Sequence, residues 1–406
     1  MPILDLQADR DISQIKTKVC IIGSGPAGAS LALELAKSGS DVAILEKGNI
    51  EPDTKMPALD GDTDKKFGSE LNWSSQLGGS SNVWAGRLGE LQSIDFEKRQ
   101  WVPESGWPIS YSEISPYYKQ AKRIINMPDK YPEAENLFSG FREFETKRLI
   151  KTRSPFNFRP HLLKSALNNS NLRIFINANV TRLEFGELGG QIIAAKIKRP
   201  DKSVVQVSSD IFVLATGGIY TPRLLLNSND KHYGGIGNQF DNVGRYLSTH
   251  PKGEVAILNL NKAVSTKNAI FGKYQNGLGL EASVQTQMKV LNCSFDLVPL
   301  YPFKINEATE RLLQKHYLDS PFIDKRRYLI PFTGGLLHLL KEQTRRVFNM
   351  PRFSRTFMLT GHFDQYPNRE NQIFLSISKL TFYQRQKKSS ILSISLYHFH
   401  RFAHSA

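Results

Sequence analysis

The hexapeptide Gly23-Ser24-Gly25-Pro26-Ala27-Gly28 puts three side-chain-free residues into one short stretch, and Glu46 follows 18 residues after the last of them. Bare backbone of this kind can present N–H groups to anionic oxygens. A carboxylate at that remove can accept hydrogen bonds from sugar hydroxyls. A dinucleotide, with its pyrophosphate and ribose, asks for both. In that chemistry Gly23 permits a tight turn, Gly25 lets the pyrophosphate approach the main chain, and Gly28 lets a helix pack closely on a strand. A second loop, Gly78-Gly79-Ser80-Ser81-Asn82 with Trp84 behind it, offers small side chains and backbone donors suited to a flat polar ring system.

Such groups act only if regular elements hold them. The apolar, β-branched run 19–22 predicts a buried parallel strand. Apolar positions Leu31, Leu33, Leu35 and Ala36 predict a helix that stops at Gly39, and a second strand, 42–45, ends in Glu46. A strand before and a helix after distinguish these glycines from an unliganded turn, while leaving open which dinucleotide is bound. Pro108 and Ser112 lead into a helix over 113–125, with Ser112 as its N-cap. Residues 171–185 and 190–214 read as a β-rich meander ending in a buried strand at 211–214. A tight turn at 215–218 follows, and Thr221-Pro222 starts a helix. From about residue 252 the segments 253–260, 278–288 and 290–303 alternate like strands of an antiparallel sheet. Residues 355–376 read as strand–turn–strand, with the turn at YPNRENQI.

Taken together and in this order, the first glycine motif with Glu46, LGGSSNVWAGR, FVLATGGIYTPRLLLNS, NQFDNVGRYLSTHP and DQYPNRENQIFLS resemble the glucose–methanol–choline (GMC) oxidoreductases. These are FAD-dependent enzymes acting on alcohols and sugars, and the matching pieces span roughly residues 15 to 376. The resemblance implies an α/β chain: a Rossmann-like FAD-binding domain with a parallel sheet, plus an α+β substrate domain on an antiparallel sheet, here incomplete. The boundaries it implies are 1–255, with a loop and helix extension at 60–150, then 256–378, then a non-family tail at 379–406. It places Gly23, Gly25 and Gly28 at the FAD pyrophosphate and Glu46 at the adenosine ribose. Gly78, Gly79, Ser80, Ser81 and Asn82 would pass beside the flavin and phosphates. Val180 would meet adenine through its backbone, and Ala215 and Gly217 would lie near the ribityl chain. The loop after the glycines has no His or Cys, so FAD is expected to be held non-covalently. Plainer roles remain open: Asn82 bonding its own turn, His250 as a structural histidine, Arg245 as a loop brace.

The reaction implied is hydride transfer from the CH–OH carbon of a small alcohol or sugar to flavin, with a histidine taking the hydroxyl proton. The electron acceptor is left open. Two other readings compete: a catalytically silent FAD-binding protein, and another flavin or nicotinamide oxidoreductase sharing only the dinucleotide fold.

Composition narrows the classes. Lys and Arg exceed Asp and Glu by 15, yet from residue 301 onward there are 17 basic and 7 acidic residues, so +10 of that excess lies in the last quarter. A uniformly basic surface suggests nucleic acid; an excess this local does not, and no nucleic-acid partner is expected. A basic helical insertion at about 307–350 reads as a helix packed on the sheet in preference to a membrane-facing one. No run approaches 18 apolar residues, and no signal-peptide pattern opens the chain. Two cysteines, Cys20 and Cys293, are too few for a disulfide framework or a zinc site, and fit the reducing cytoplasm.

The end of the chain reads differently. Between 371 and 406 there is no Asp or Glu, against five Lys or Arg, seven serines and three of the nine histidines. The expectation is a change of reading frame near 376–379, leaving the family's catalytic segment absent. The rival is a short native tail; the spacing of its His398, His400 and His404 matches no familiar metal site. His161, His232, His250, His316, His338 and His362 all precede the place where the family puts its base. No catalytic residue is therefore assigned, and little turnover is expected of this chain alone.

Overall fold

The computed structural model describes residues 2–51, 74–84, 86–127, 144–151, 156–186, 190–231, 233–265, 274–299, 353–375 and 380–383. The expected insertion at 307–350 lies outside the described residues. So do His232, His316, His338 and the stretch from 384 that carries His398, His400 and His404.

In chain order the elements are β1 (Ile3–Asp5), β2 (Gln14–Ile22), α1 (Pro26–Lys37), β3 (Val42–Leu45), a 3-10 turn (Gly79–Asn82), β4 (Arg87–Leu88), α2 (Ser93–Phe96) and α3 (Tyr111–Ile124). Then come β5 (Phe144–Lys151), α4 (Phe158–Asn168), β6 (Leu172–Ile176), β7 (Val180–Phe185), β8 (Ile192–Lys198), β9 (Val204–Leu214) and α5 (Gly217–Asn227). The last are β10 (Lys252–Ser265), β11 (Tyr274–Leu280), α6 (Ala282–Met288), β12 (Cys293–Pro299), β13 (Phe353–Phe363), β14 (Gln372–Leu375) and β15 (Leu380–Tyr383).

A seven-stranded sheet runs β1-β6-β3-β2-β9-β8-β7. Its first five strands are mutually parallel, and β8 and β7 extend it antiparallel. The period of two explains its core. Val19 and Ile21 of β2, with Val42 and Ile44 of β3, face α1 and α4, whose Ala29, Ala32, Ala36, Leu162 and Ala166 cover them. Cys20, Ile22, Ala43 and Leu45 face the other way and pack on Val205, Val207 and Leu224. Both faces are buried, as a parallel sheet requires. Alanines on α1 let the helix lie close to the strands.

The second sheet is antiparallel, in the order β10-β13-β12-β11-β5-β4. Its core is Leu278, Phe295, Leu297, Phe357 and Leu359. Strands β5 and β4 reach it from residues 87–151, well before the other four in the chain.

Five local expectations are corrected. Leu172–Ile176 is no part of a meander; β6 lies parallel between β3 and β1, because its alternation cannot say which strand it pairs with. The helix at 217–227 begins at Gly217, and Pro222 sits inside it. The glycine pair that reads as a free turn is the opening of that helix. Helix α3 is capped by Ser110, whose N–H donates to Glu113 Oε2 at 2.7 Å, and not by Ser112. Residues 282–288 are helical: Gln285 is fully buried and its Nε2 donates to Leu280 O at 3.2 Å. Finally, β13 and β14 form no hairpin. Both edges of β13 are already paired, with β10 and β12, so the chain leaves the sheet and β14 pairs with β15.

Candidate functional site

A cavity of about 820 Å³ opens at the carboxyl ends of β2, β3 and β9, where β7 and α5 begin. That position is where open α/β sheets bind ligands, and the size falls in the upper part of the range for cofactor sites.

The first glycine motif forms one wall. Gly23 takes φ +101°, and a Cβ there would stand 2.6 Å from Ala215 O. Gly25 is the N-cap of α1, with φ −63° and Pro26 at the first helical position. A Cβ on Gly25 would meet nothing within 4 Å, so the bare position faces open space in the cavity wall. Gly28 does not line the cavity; a Cβ there would stand 2.1 Å from Gly23 O. Pro26 has no N–H, so Gly25, Ala27 and Gly28 are left to supply the free donors of the helix start.

The second glycine turn lies directly against the first. Gly78 adopts φ +90°, and a Cβ on Gly79 would stand 2.7 Å from Gly25 Cα. Gly79 and Ser80 line the cavity, while Gly78, Ser81 and Asn82 stand behind it. Ser81 Oγ donates to Gly78 O at 2.6 Å. Asn82 Nδ2 donates to Leu77 O at 3.0 Å and Gly79 O at 2.7 Å, and its Oδ1 accepts from Asn157 Nδ2 at 2.9 Å. The Asn82 amide is thus fully engaged in holding the turn. Trp84 anchors the far side, its Nε1 donating to Phe156 O at 2.8 Å.

Glu46 closes the β3 end and is buried. Its Oε2 accepts from Ser24 N at 3.1 Å and from the Ser24 hydroxyl, and its Oε1 accepts from Gly48 N at 2.9 Å. Burial pushes its carboxyl above the ordinary value, against the lowering effect of the Ser24 and Gly48 hydrogen bonds and the Lys47 charge. Glu46 O accepts from Ala178 N at 2.8 Å, which brings the β6–β7 corner and Val180 to the same cavity. On the opposite side Ala215 N donates to Ile22 O at 2.8 Å, and Ala215 and Gly217 line the wall.

Several lining residues escape a reading by motif: Ser24, Lys47, Tyr220, Arg223 and Asn227. Lys47 Nζ lies 5.0 Å from the Tyr220 ring centroid and Arg223 Cζ 5.8 Å from it, both within cation–π range. One signal is present in the sequence: Lys47 follows Glu46 directly, and Tyr220 and Arg223 flank Thr221-Pro222. Among the described residues no histidine lines the cavity. His161 stacks on Phe156, His250 is largely exposed, and His362 Nε2 pairs with Asp296 Oδ2 at 3.0 Å in the other sheet.

These groups fit FAD: a cavity of cofactor size, bare backbone from both glycine turns in its wall, the Glu46 carboxylate among its lining residues and room where Gly25 lacks a side chain. Residues 16–55 match the model of an FAD binding domain, and residues 139–252 match that of GMC oxidoreductases. A 2-methyl-1,2-propanediol dehydrogenase of Mycolicibacterium austroafricanum is 25% identical over 309 residues, 58% of this chain and 55% of that protein. A fructose dehydrogenase large subunit of Gluconobacter japonicus is 24% identical over 324 residues, 58% of this chain and 59% of that one. The chain therefore spans little more than half the length of these curated relatives. The solved pyridoxine 4-oxidase from Mesorbium loti shares the fold, with TM-score 0.53 and 15% identity over 96% of this chain and 80% of that one. Most of the cavity's lining falls within these two segments, with residues 74–80 reaching it from between them, so the part of the chain that builds the site is similar to an FAD binding domain and to the GMC oxidoreductases, and its cofactor is FAD.

Proposed function

We propose that this chain builds the flavin site of an oxidoreductase that takes hydride from the CH–OH carbon of a small alcohol or sugar. The observation that carries this reading is the single cavity in which both glycine turns, Glu46, Val180 and the 215–217 corner meet. The names of the relatives support it, since a diol and a sugar are their substrates. Bound flavin supplies the hydride acceptor. The chain's own part is to hold it: donors at the start of α1 face the pyrophosphate, Glu46 accepts from the ribose, and the second glycine turn limits where the ring system rests.

The twelve residues Gly23, Gly25, Gly28, Glu46, Gly78, Gly79, Ser80, Ser81, Asn82, Val180, Ala215 and Gly217 are proposed as the cofactor shell. Eight of them line the cavity, and Gly28, Gly78, Ser81 and Asn82 shape it from behind. FAD is proposed to bind non-covalently, since the loop at 74–84 carries no His or Cys. The domain limits 1–255 and 256–378 are retained as a proposal, with β4 and β5 crossing into the second sheet. No helix among the described residues is long and apolar enough to cross a membrane. A cytoplasmic location is proposed from two free cysteines, of which Cys20 is buried and its thiol pushed up to about 12 by desolvation.

The test is reconstitution with FAD followed by anaerobic addition of a panel of alcohols and sugars. Bleaching of the bound flavin's visible band by any of them supports the proposal. Bound flavin that none of them bleaches favours the silent FAD-binding reading, and a protein that takes up a nicotinamide dinucleotide in place of FAD favours the third. The same experiment decides the expectation of little turnover, which steady turnover with an added acceptor would overturn.

A further inference from the structure

The middle residue of the first glycine motif is Ser24, and it is wholly buried. Its hydroxyl has one proton, and that proton goes to Glu46 Oε2. The Ser24 hydroxyl oxygen in turn accepts from Gly78 N at 3.0 Å. The donor directions are thereby fixed: the Gly78 amide gives to Ser24, and Ser24 gives to Glu46. Three segments more than 20 residues apart in sequence converge on one hydroxyl group.

Each of the three has its own duty at the cavity. Glu46 stands at the ribose end, the backbone beside Ser24 faces the phosphates, and Gly78 opens the second glycine turn. That turn is braced internally by Ser81 and Asn82 and from α4 by Asn157. None of those bonds reaches the phosphate loop, and Ser24 does. The contact is close, since Gly79 leaves no room for a side chain against Gly25.

We infer that Ser24 is a positioning residue, the tie that fixes the second glycine turn against the phosphate loop and so sets where the flavin half of FAD rests. The inference depends on FAD binding and not on the identity of the substrate. Removing the hydroxyl leaves the buried Gly78 N–H without an acceptor and frees the turn to shift. The adenosine half keeps Glu46, Gly48 and the helix start. The flavin half loses a preorganised wall.

The experiment compares FAD with ADP, which carries both phosphates and no flavin. Binding constants for the two are measured on the full chain for wild type, Ser24→Ala and Ser24→Cys, with visible circular dichroism of the bound flavin. Ser24→Ala is expected to weaken FAD by about 10- to 100-fold and ADP by less than about threefold. The flavin dichroism should change, and Ser24→Cys, which keeps a weak donor of similar shape, should fall between. Equal losses for FAD and ADP would mean that Ser24 merely supports its own loop, and would overturn the inference. FAD affinity within about threefold of wild type would overturn it too. If Ser24→Ala does not fold, the same ratio read on Ser24→Cys decides. Flavin that binds as described and is never bleached by an alcohol or sugar would sink the proposed reaction and leave Ser24 in its role.

Discussion

Gly25 and Gly28 stand three residues apart and answer to different demands. A methyl group on Gly25 would project into open space, whereas one on Gly28 would collide with Gly23 O. Gly25→Ala is therefore expected to leave apo stability within about 0.5 kcal/mol of wild type and to weaken FAD at least about tenfold, because the methyl occupies the phosphates' approach. Gly28→Ala should cost about 1–3 kcal/mol of stability through overpacking. Urea melts of the apo-proteins, with FAD titrations, separate the two, and similar melts for both variants would contradict this account. Glu46 makes a prediction of opposite sign to an ordinary surface carboxylate. Its folded value lies above the ordinary 4.5, so the folded state holds the proton more tightly than the unfolded state does. Its contribution to stability is fully present below 4.5 and declines as pH rises through the raised value, by at most about 1.4 kcal/mol per pH unit. Stability of wild type relative to Glu46→Gln should thus fall as pH rises from 4.5, and parallel pH profiles would refute it.

At the scale of elements, two side chains join pieces that the sequence keeps far apart. Asn157 caps α4, its Oδ1 accepting from Arg159 N at 2.8 Å, while its Nδ2 holds Asn82. Asn157→Ala is expected to cost about 1–2 kcal/mol, read as a lower thermal midpoint. Arg199 is buried beneath the loop that joins β1 to β2 and donates to Leu6 O at 2.5 Å, Asp9 O at 2.9 Å and Ile12 O at 2.7 Å. Arg199→Met strands those carbonyls and should cost about 3 kcal/mol, with faster amide exchange concentrated in residues 6–12. The unit β2–α1–β3 was legible in the sequence because glycines, apolar period and acid all lie within about thirty consecutive residues. Strand β6 and helix α6 were not, for different reasons. Alternation marks a strand without naming its neighbour, and a seven-residue segment with Gln285 at its centre satisfies either period. Ser24 and Tyr220 were invisible as site residues because their roles depend on what comes to meet them, from residue 78 in one case and residue 47 in the other.

For the whole molecule, the cavity belongs to one sheet. Its lining residues come from the seven-stranded sheet, its helices and the glycine turns, and none of the six-stranded sheet's described residues takes part. FAD at a hundredfold excess over its dissociation constant should stabilise the fold by about 2.7 kcal/mol. Hydrogen exchange should show that protection at residues 22–28 and 214–227, with less than about a threefold change in β12 and β13. Protection spread evenly over both sheets would show that they open as one unit.

The central strand β2 has β3 on one side and β9 on the other, and β9 ends at residue 214. During synthesis β3 is complete some 169 residues before that partner exists. At roughly 5–20 residues per second the ribosome takes on the order of 10–30 s to supply it. Until then the β9-facing edge of β2 has no partner for its N–H and C=O groups, and the apolar side chains of Val19 to Ile22 lack the cover that β9 brings, so this segment is expected to be a target for chaperones that bind extended hydrophobic stretches.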